Sequence, residues 1–311
     1  MNQHVLLTGG AGYIGSILTP ALLAQGHRVT VVDSFRYGQA SLLDCCYDRN
    51  LSIIRGDVRD ERIMLPLLKK SDVIIPLACL VGAPLCEQNP IEARSINLDA
   101  IVMLLKHASR QQRFLSPTTN SGYGVGQAGM FCTEETPMNP ISLYGVLKVE
   151  LERALLDAGA VSLRLATVCG ISPRMRLDLL VNDFTYRAVT DRFVVLFEAH
   201  FKRNYIHVRD VARAFLHALA HGNAMQGQAY NVGLSDANLS KMELCLEIRK
   251  QVPAFTIMEA AVGKDPDQRN YVVSNEKIEA TGYKPQVSIQ AAIEELVKGY
   301  QVLRRNQYAN I

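Results

Sequence analysis

The chain has 311 residues, 48% of them hydrophobic and 20% charged, and its 33 Lys and Arg against 30 Asp and Glu leave a formal net charge of +3. That balance excludes a disordered or collagen-like chain, and so small a charge makes no field that would steer a nucleic acid. The length exceeds what one hydrophobic core usually fills, so two cores or one large α/β body is expected.

After Met1-Asn2-Gln3-His4 the chain enters VLLTGG, so no basic-then-apolar signal peptide is expected. Short β-branched runs predict strands at His4 to Thr8, Arg28 to Val32, Leu51 to Ile54, Asp72 to Ile75, Arg113 to Ser116 and Val161 to Ala166. Amphipathic segments between them predict helices at Tyr13 to Gln25, Glu61 to Leu68, Ile91 to Arg110 and Leu143 to Ala158. Strand and helix in alternation imply crossover connections, hence a parallel sheet covered on both faces.

After Gly170 the rhythm changes. ISPRMRLDLLVNDFTYRAV reads as a helix, RFVVLF and NYIHV as short strands, and helical periods lie near 238 to 251 and 288 to 304. No Gly-, Ser- or Pro-rich linker divides the halves. The expected organisation is a first domain over 1–169 with a smaller lobe over 170–311, and with returns to the first near 208–232. The most apolar stretch, DVIIPLACLVGAPLC, is too short to span a bilayer and carries Pro76, Gly82 and Pro84, so no membrane partner is expected. Seven cysteines without a C-x-x-C pair fit reduced thiols in the cytoplasm and argue against a metal site.

Directly after the first expected strand stands TGGAGYIG, with Gly9, Gly10, Gly12 and Gly15, and then a helix. Gly9 or Gly10 permits the tight turn, Gly12 lets backbone approach a pyrophosphate, and Gly15 lets the helix pack closely. The helix N-terminus then faces the phosphates with unpaired N–H groups. Asp33 ends VTVVD eighteen positions beyond Gly15, where its carboxylate accepts from ribose hydroxyls and selects NAD over NADP; Arg36, three residues on, argues the other way. Together these predict an α/β, Rossmann-type doubly wound fold that binds NAD. Asp57 and Val58, after the third strand, resemble an adenine contact.

Tyr144 and Lys148 in ISLYGVLKVE stand four apart on one helix face. A tyrosine pKa of about 10 makes it a poor base at neutral pH, and a lowering of about three units needs roughly 4 kcal/mol from neighbouring cations. Lys148 and an oxidised nicotinamide are expected to supply it, so that Tyr144 takes the proton of an alcohol undergoing oxidation. SPTTNSGYG, residues 116 to 124, ends the fifth strand beside that centre, and Thr118, Thr119 and Ser121 are candidates to orient the reacting hydroxyl.

TGGAGYIG, Asp33, the Ser/Thr-rich stretch ending in Tyr123-Gly124, and Tyr144-x-x-x-Lys148 together resemble the extended short-chain dehydrogenase/reductases, specifically the NAD-dependent nucleotide-sugar epimerase/dehydratase family, along essentially the whole chain. The resemblance makes Thr119, four before Tyr123 and twenty-five before Tyr144, the catalytic hydroxyl beside Tyr144 and Lys148. It adds Tyr13, Ile14, Leu77, Ala78 and Asn97 to the cofactor side, and Thr118, Asn120, Thr167, Asn182, Arg203 and Arg269 to a nucleoside-diphosphate sugar. It also implies a homodimer built on the helices near Ile91 to Arg110 and Leu143 to Ala158. Asn204 stands where the family's R-D-Y-I-H-V element has aspartate.

Two departures narrow the chemistry. The 4,6-dehydratases carry Asp-Glu immediately after the threonine, and the fucose-synthase branch a cysteine two after it, whereas this chain has Asn120 and Ser121. Neither serves as a general acid near neutrality. Oxidation at carbon 4 remains, ending in a 4-dehydrogenase or a redox-neutral 4-epimerase. PLACLVGAPLC, SPTTNSGYG and GISPRMRLDLLVNDFTYRA look closest to a bacterial subgroup associated with GDP-manno-heptose and capsule or lipopolysaccharide sugars, which includes a 4-dehydrogenase and favours a GDP-sugar. A non-catalytic NAD-binding sensor or scaffold is the alternative from another class.

Overall fold

A computed structural model describes residues 2–38, 40–127, 129–260 and 269–303. Its centre is a seven-stranded sheet made of β1 (His4–Thr8), β2 (Arg28–Asp33), β3 (Leu51–Arg55), β4 (Val73–Pro76), β5 (Arg113–Thr119), β6 (Val161–Leu165) and β7 (Ala229–Val232). The spatial order is β7-β6-β5-β4-β1-β2-β3 and every pairing is parallel. The order reverses at β1, which opens a crevice at the carboxyl ends of the strands.

Alternation along β1 shows how the sheet is covered. Val5 and Leu7 belong to one apolar layer with Leu18, Leu22 and Phe215, while Leu6 belongs to the other with Ile101, Leu104 and Leu151. Successive side chains leave a strand on opposite faces, so a strand buried on both sides reads as one apolar run. All four residues of Val73–Pro76 are buried, as that requires.

The helix expected over Ile91 to Arg110 is interrupted. Pro90–Arg94 passes through a π-turn at Ser95–Asp99 before Ala100–His107 continues. Such wide turns recur beside functional sites because they re-aim side chains.

Beyond β6 the chain builds smaller sheets. Thr167–Cys169 pairs with Lys202–His207, which pairs with Asn238–Ser240; Phe193–Leu196 pairs with Thr256–Glu259, and Phe131–Cys132 with Val272–Val273. Ser240 starts the helix Lys241–Gln251 with a capping box to Glu243, and Ser288 caps Ile289–Gly299. That last helix, expected to reach position 304, ends at Gly299, and residues 300–302 form a turn.

The expected helix over ISPRMRLDLLVNDFTYRAV forms only at Leu180–Thr190. Residues 171–179 are irregular: Pro173 lacks an N–H, and Ser172, Arg174 and Arg176 turn inward to make side-chain contacts instead. No helix among the described residues is long and apolar enough to cross a membrane.

Candidate active site

A cleft of about 1470 Å³ runs along the carboxyl ends of the strands. It exceeds the roughly 300–1,000 Å³ usual for one small ligand and has room for two. Its walls are the turns that follow β1, β2, β3 and β4, the end of β5, the segment after β6, and residues from the 170s, Arg203, Lys241, Arg269 and Tyr271.

The turn after β1 fits a dinucleotide. Gly9 has φ +68°, and a Cβ there would stand 2.6 Å from Ala78 N. A Cβ on Gly15 would stand 2.4 Å from Gly9 O and 2.6 Å from Gly10 Cα, so this glycine packs the helix onto the turn itself. Gly12, Tyr13, Ile14 and Gly15 line the cleft, and no side chain caps the helix Gly15–Ala24. Open N–H groups at a helix start suit a phosphate.

Asp33 reaches the same wall, its carboxylate accepting from Ala11 N at 3.0 Å and Phe35 N at 2.8 Å. Arg36 is drawn to Glu92 at 3.0 Å, which weakens it as a partner for a 2′-phosphate. Asp57 and Val58 line the next turn, where hydrogen bonds from Arg59 hold the Asp57 carboxyl below its usual range. Leu77 and Ala78 form the wall opposite Gly9.

Tyr144 is the second residue of the helix Leu143–Asp157, whose start is fixed by Ser142 accepting from Gly145 N at 3.2 Å. Lys148 lies one turn on, buried, with Nζ donating to Pro117 O at 3.4 Å, and both side chains line the cleft. The protein's own groups do not lower the phenol, and the expected lowering also draws on the nicotinamide charge. Burial, followed by Cys79, pushes the Tyr144 hydroxyl above its usual range, and Arg176 and Arg269 pull the other way without overcoming it.

The residues of SPTTNSGYG divide between two environments. Thr119 and Ser121 line the cleft, with Thr119 Oγ1 donating to Ser121 Oγ at 3.0 Å and accepting from Ser121 N at 3.1 Å. Arg269 also donates to Ser121 Oγ. Thr118 borders the cleft, but its hydroxyl, expected at the substrate, turns to the interior: Oγ1 donates to Glu152 at 3.0 Å and lies 2.7 Å from Ser162 Oγ. The pleat dictates this, since neighbours along a strand face opposite ways. Asn120, also expected at the substrate, is fully buried in the turn Asn120–Tyr123 and does not line the cleft.

Two asparagines stand one layer behind their expected positions. Asn97, in the π-turn, accepts from Leu80 N at 2.8 Å and donates to Leu80 O at 2.9 Å, fixing the loop after β4 from outside the cleft. Asn182 accepts from Gly170 N at 3.0 Å and donates to Arg176 O at 2.8 Å and Tyr13 Oη at 3.2 Å, so its amide is spent on protein groups. Thr167, Arg203 and Arg269 do line the cleft, with the Arg203 guanidinium 5.7 Å from the Tyr271 ring centroid.

Sequence reasoning passed over Arg174 and Arg176, buried residues that also line the cleft. Arg174 lies 4.0 Å from the Tyr37 ring centroid, and Arg176 pairs with Asp178 at 3.2 and 2.5 Å. The one signal was a pair of arginines in ISPRMRLDLL, set among Ile171, Met175, Leu177 and Leu179.

Comparison with known proteins agrees with this geometry. The chain is 30% identical to a dTDP-glucose 4,6-dehydratase of an Actinoplanes species, over 97% of this chain and 99% of that one. The crystal structure of UDP-glucose 4-epimerase from Thermus thermophilus in complex with NAD matches with a TM-score of 0.80 and 25% identity, covering 96% and 99% of the two chains. That of a dTDP-glucose 4,6-dehydratase from Streptomyces venezuelae, also with NAD bound, matches with a TM-score of 0.84 and 25% identity, covering 96% and 97%. Residues 5–233 match the NAD dependent epimerase/dehydratase family, and the glycine turn, Asp33 and the seven-stranded parallel sheet are what NAD requires. The chain belongs to that family, and its cofactor is NAD.

Proposed function

We propose that the protein oxidises the carbon-4 hydroxyl of a nucleoside-diphosphate sugar. The observation that carries this reading is a single cleft lined by Thr119, Tyr144 and Lys148 together with the glycine turn and Asp33. NAD, when bound, supplies the oxidant and, in its oxidised ring, a positive charge. Thr119 Oγ1 orients the sugar hydroxyl, Tyr144 Oη takes its proton, and Lys148 favours the resulting phenolate. Arg176 and Arg269 add to that bias from the other walls. Arg203 and Arg269 hold the diphosphate, for which guanidinium forks are suited, with Thr167 beside the sugar.

Dehydration is disfavoured, because Asn120 is buried away from the cleft and Ser121 offers only a hydroxyl. Of the two remaining outcomes we take a 4-dehydrogenase acting on a GDP-manno-heptose-like sugar, in capsule or lipopolysaccharide assembly, as the first reading. Its support is the resemblance of the PLACLVGAPLC, SPTTNSGYG and GISPRMRLDLLVNDFTYRA segments. The likeness to a UDP-glucose 4-epimerase favours the second reading, in which the keto sugar turns over and is reduced on its other face. On either reading residues 170–311 supply most of the substrate side, the enzyme is cytoplasmic, and the exposed Ile91 and Val146 suit pairing of two copies.

The test is a panel of GDP-, UDP-, CDP- and dTDP-sugars given to the purified protein with NAD. Reduced nicotinamide absorbance that accumulates identifies the dehydrogenase, and product without it the epimerase. Tyr144→Phe is expected to lower kcat by about a hundredfold or more while NAD still binds. Unchanged turnover in that variant overturns the proposal.

A further inference from the structure

The loop after β4 carries a thiol that the proposed reaction does not use. Cys79 lines the cleft and is partly exposed, whereas Cys86, in the short helix Ala83–Gln88, is fully buried behind it. Both sulfurs converge on one atom: Cys79 Sγ donates to Leu80 O at 3.3 Å and Cys86 Sγ to the same oxygen at 3.2 Å. Gly82, at φ +103°, lies in the turn between them, just before that helix. We propose that Cys79 and Cys86 form a peroxide-sensitive pair, Cys79 being the site of oxidation and Cys86 the resolving thiol that closes a disulfide across the wall of the cleft.

The chemistry needs a hydroperoxide as oxidant. Attack of the Cys79 sulfur on the peroxide forms an S–O bond and breaks the O–O bond, leaving a sulfenic acid and releasing water or an alcohol, the proton given up by the thiol going to the leaving oxygen. The Cys86 sulfur then attacks that sulfur; an S–S bond forms, the S–O bond breaks, and the hydroxyl leaves as water with the Cys86 proton. Two electrons pass from the thiols to the peroxide. The order follows from access, since Cys79 meets the solvent in the cleft and Cys86 does not.

Oxidation removes both S–H donors from Leu80 O and leaves it Asn97 Nδ2 at 2.9 Å. The wall formed by residues 77–82 faces Gly9 and stands near Tyr144, so the disulfide distorts the cofactor side of the cleft. Every other cysteine among the described residues except the exposed Cys46 is buried, which limits competing reactions to one position.

The experiment treats a Cys46→Ser chain with hydrogen peroxide and reads two things, non-reducing peptide mass mapping and the NAD dissociation constant by calorimetry. A Cys79–Cys86 cross-linked peptide is expected, with NAD bound about tenfold more weakly, and dithiothreitol should reverse both; tenfold corresponds to about 1.4 kcal/mol. Adding Cys86→Ser should leave Cys79 trapped as a dimedone adduct, and adding Cys79→Ser should abolish both products. Absence of the cross-link, or NAD affinity unchanged after complete cross-linking, overturns the inference. Neither readout uses turnover, so a failure here is separate from a failure of the proposed reaction.

Discussion

Behind Thr119 lies an ion pair whose removal has a calculable effect. Glu152 and Arg164 are each about 95% buried, their exposures being 5% and 5%. Arg164 Nε donates to Glu152 Oε1 at 3.1 Å and Oε2 at 3.0 Å, Nη2 donates to Oε1 at 2.7 Å, and Nη1 donates to Tyr123 Oη at 2.9 Å and Glu134 O at 3.1 Å. Glu152 also accepts from Thr118 and from Ser162, at 3.0 and 2.7 Å. Breaking a buried pair from one side usually costs about 3–5 kcal/mol, because the surviving charge has lost its counter-ion and cannot reach water. Arg164→Met leaves Glu152 two hydroxyl donors, which places the expected loss near the lower bound, about 3 kcal/mol.

Adding Glu152→Gln to that variant removes the stranded charge, and the amide oxygen still accepts from Thr118 and Ser162. The double variant should therefore be more stable than Arg164→Met alone, with a coupling of at least about 1 kcal/mol. Urea unfolding followed by circular dichroism reads this as a shift of midpoint at constant m. A loss below about 1 kcal/mol for Arg164→Met, or strictly additive variants, refutes the reasoning. Thr118 and Thr119 are neighbours on β5, so in the proposed reaction the single variant should lower kcat more than it changes KM.

Gly15→Ala should weaken NAD binding roughly ten- to a hundredfold by calorimetry, since its Cβ would meet Gly9 and Gly10 backbone at 2.4 and 2.6 Å and overpacking costs about 1–3 kcal/mol. Unchanged affinity would mean the turn yields freely. A second expectation concerns acid. Burial pushes the Asp178 carboxyl up, but Arg176 outweighs it and holds the group below its usual range. A depressed carboxyl contributes stability that is present above its unfolded pKa of about 3.9 and is lost as pH falls through the lower folded value. Asp178→Asn should flatten that acid limb and destabilise the protein at neutral pH by about 1–3 kcal/mol, because Arg176 stays buried; thermal melts across the acid range measure both.

Periodicity carried the sheet well, because β1 and the helix Glu61–Leu68 have the bounds that their own residues dictate. It misled at residues 171–179, where Ile171, Met175 and Leu179 recur every fourth position as on a helix face. The arginines between them are buried, and nothing local announces that a guanidinium will find an aromatic face and a carboxylate in the interior. The site was legible wherever a backbone motif fixes it, as at Gly9, Gly15 and Asp33. It was less so for Thr118, Asn97, Asn120 and Asn182, whose residue types were noticed but whose direction depends on strand pleat and on partners far away in sequence.

That division has a physical origin. An amide side chain both donates and accepts, so it can bridge the N–H and C=O groups that irregular backbone leaves unpaired. Asn97 does this for the loop after β4, and Asn182 for the segment between Gly170 and Arg176. Groups that bind an anionic ligand need only donate, and the cleft presents such groups in Arg174, Arg176, Arg203, Arg269, Lys148 and Lys241, along with open helix N–H groups at the glycine turn. Asparagines that hold the walls and cations that face the ligand are therefore two solutions to different problems. An ammonium or guanidinium carries several donors, so Lys148 bonds Pro117 O and still lines the cleft, whereas an amide held by backbone at both its oxygen and its nitrogen, as in Asn97, is better assigned to the wall.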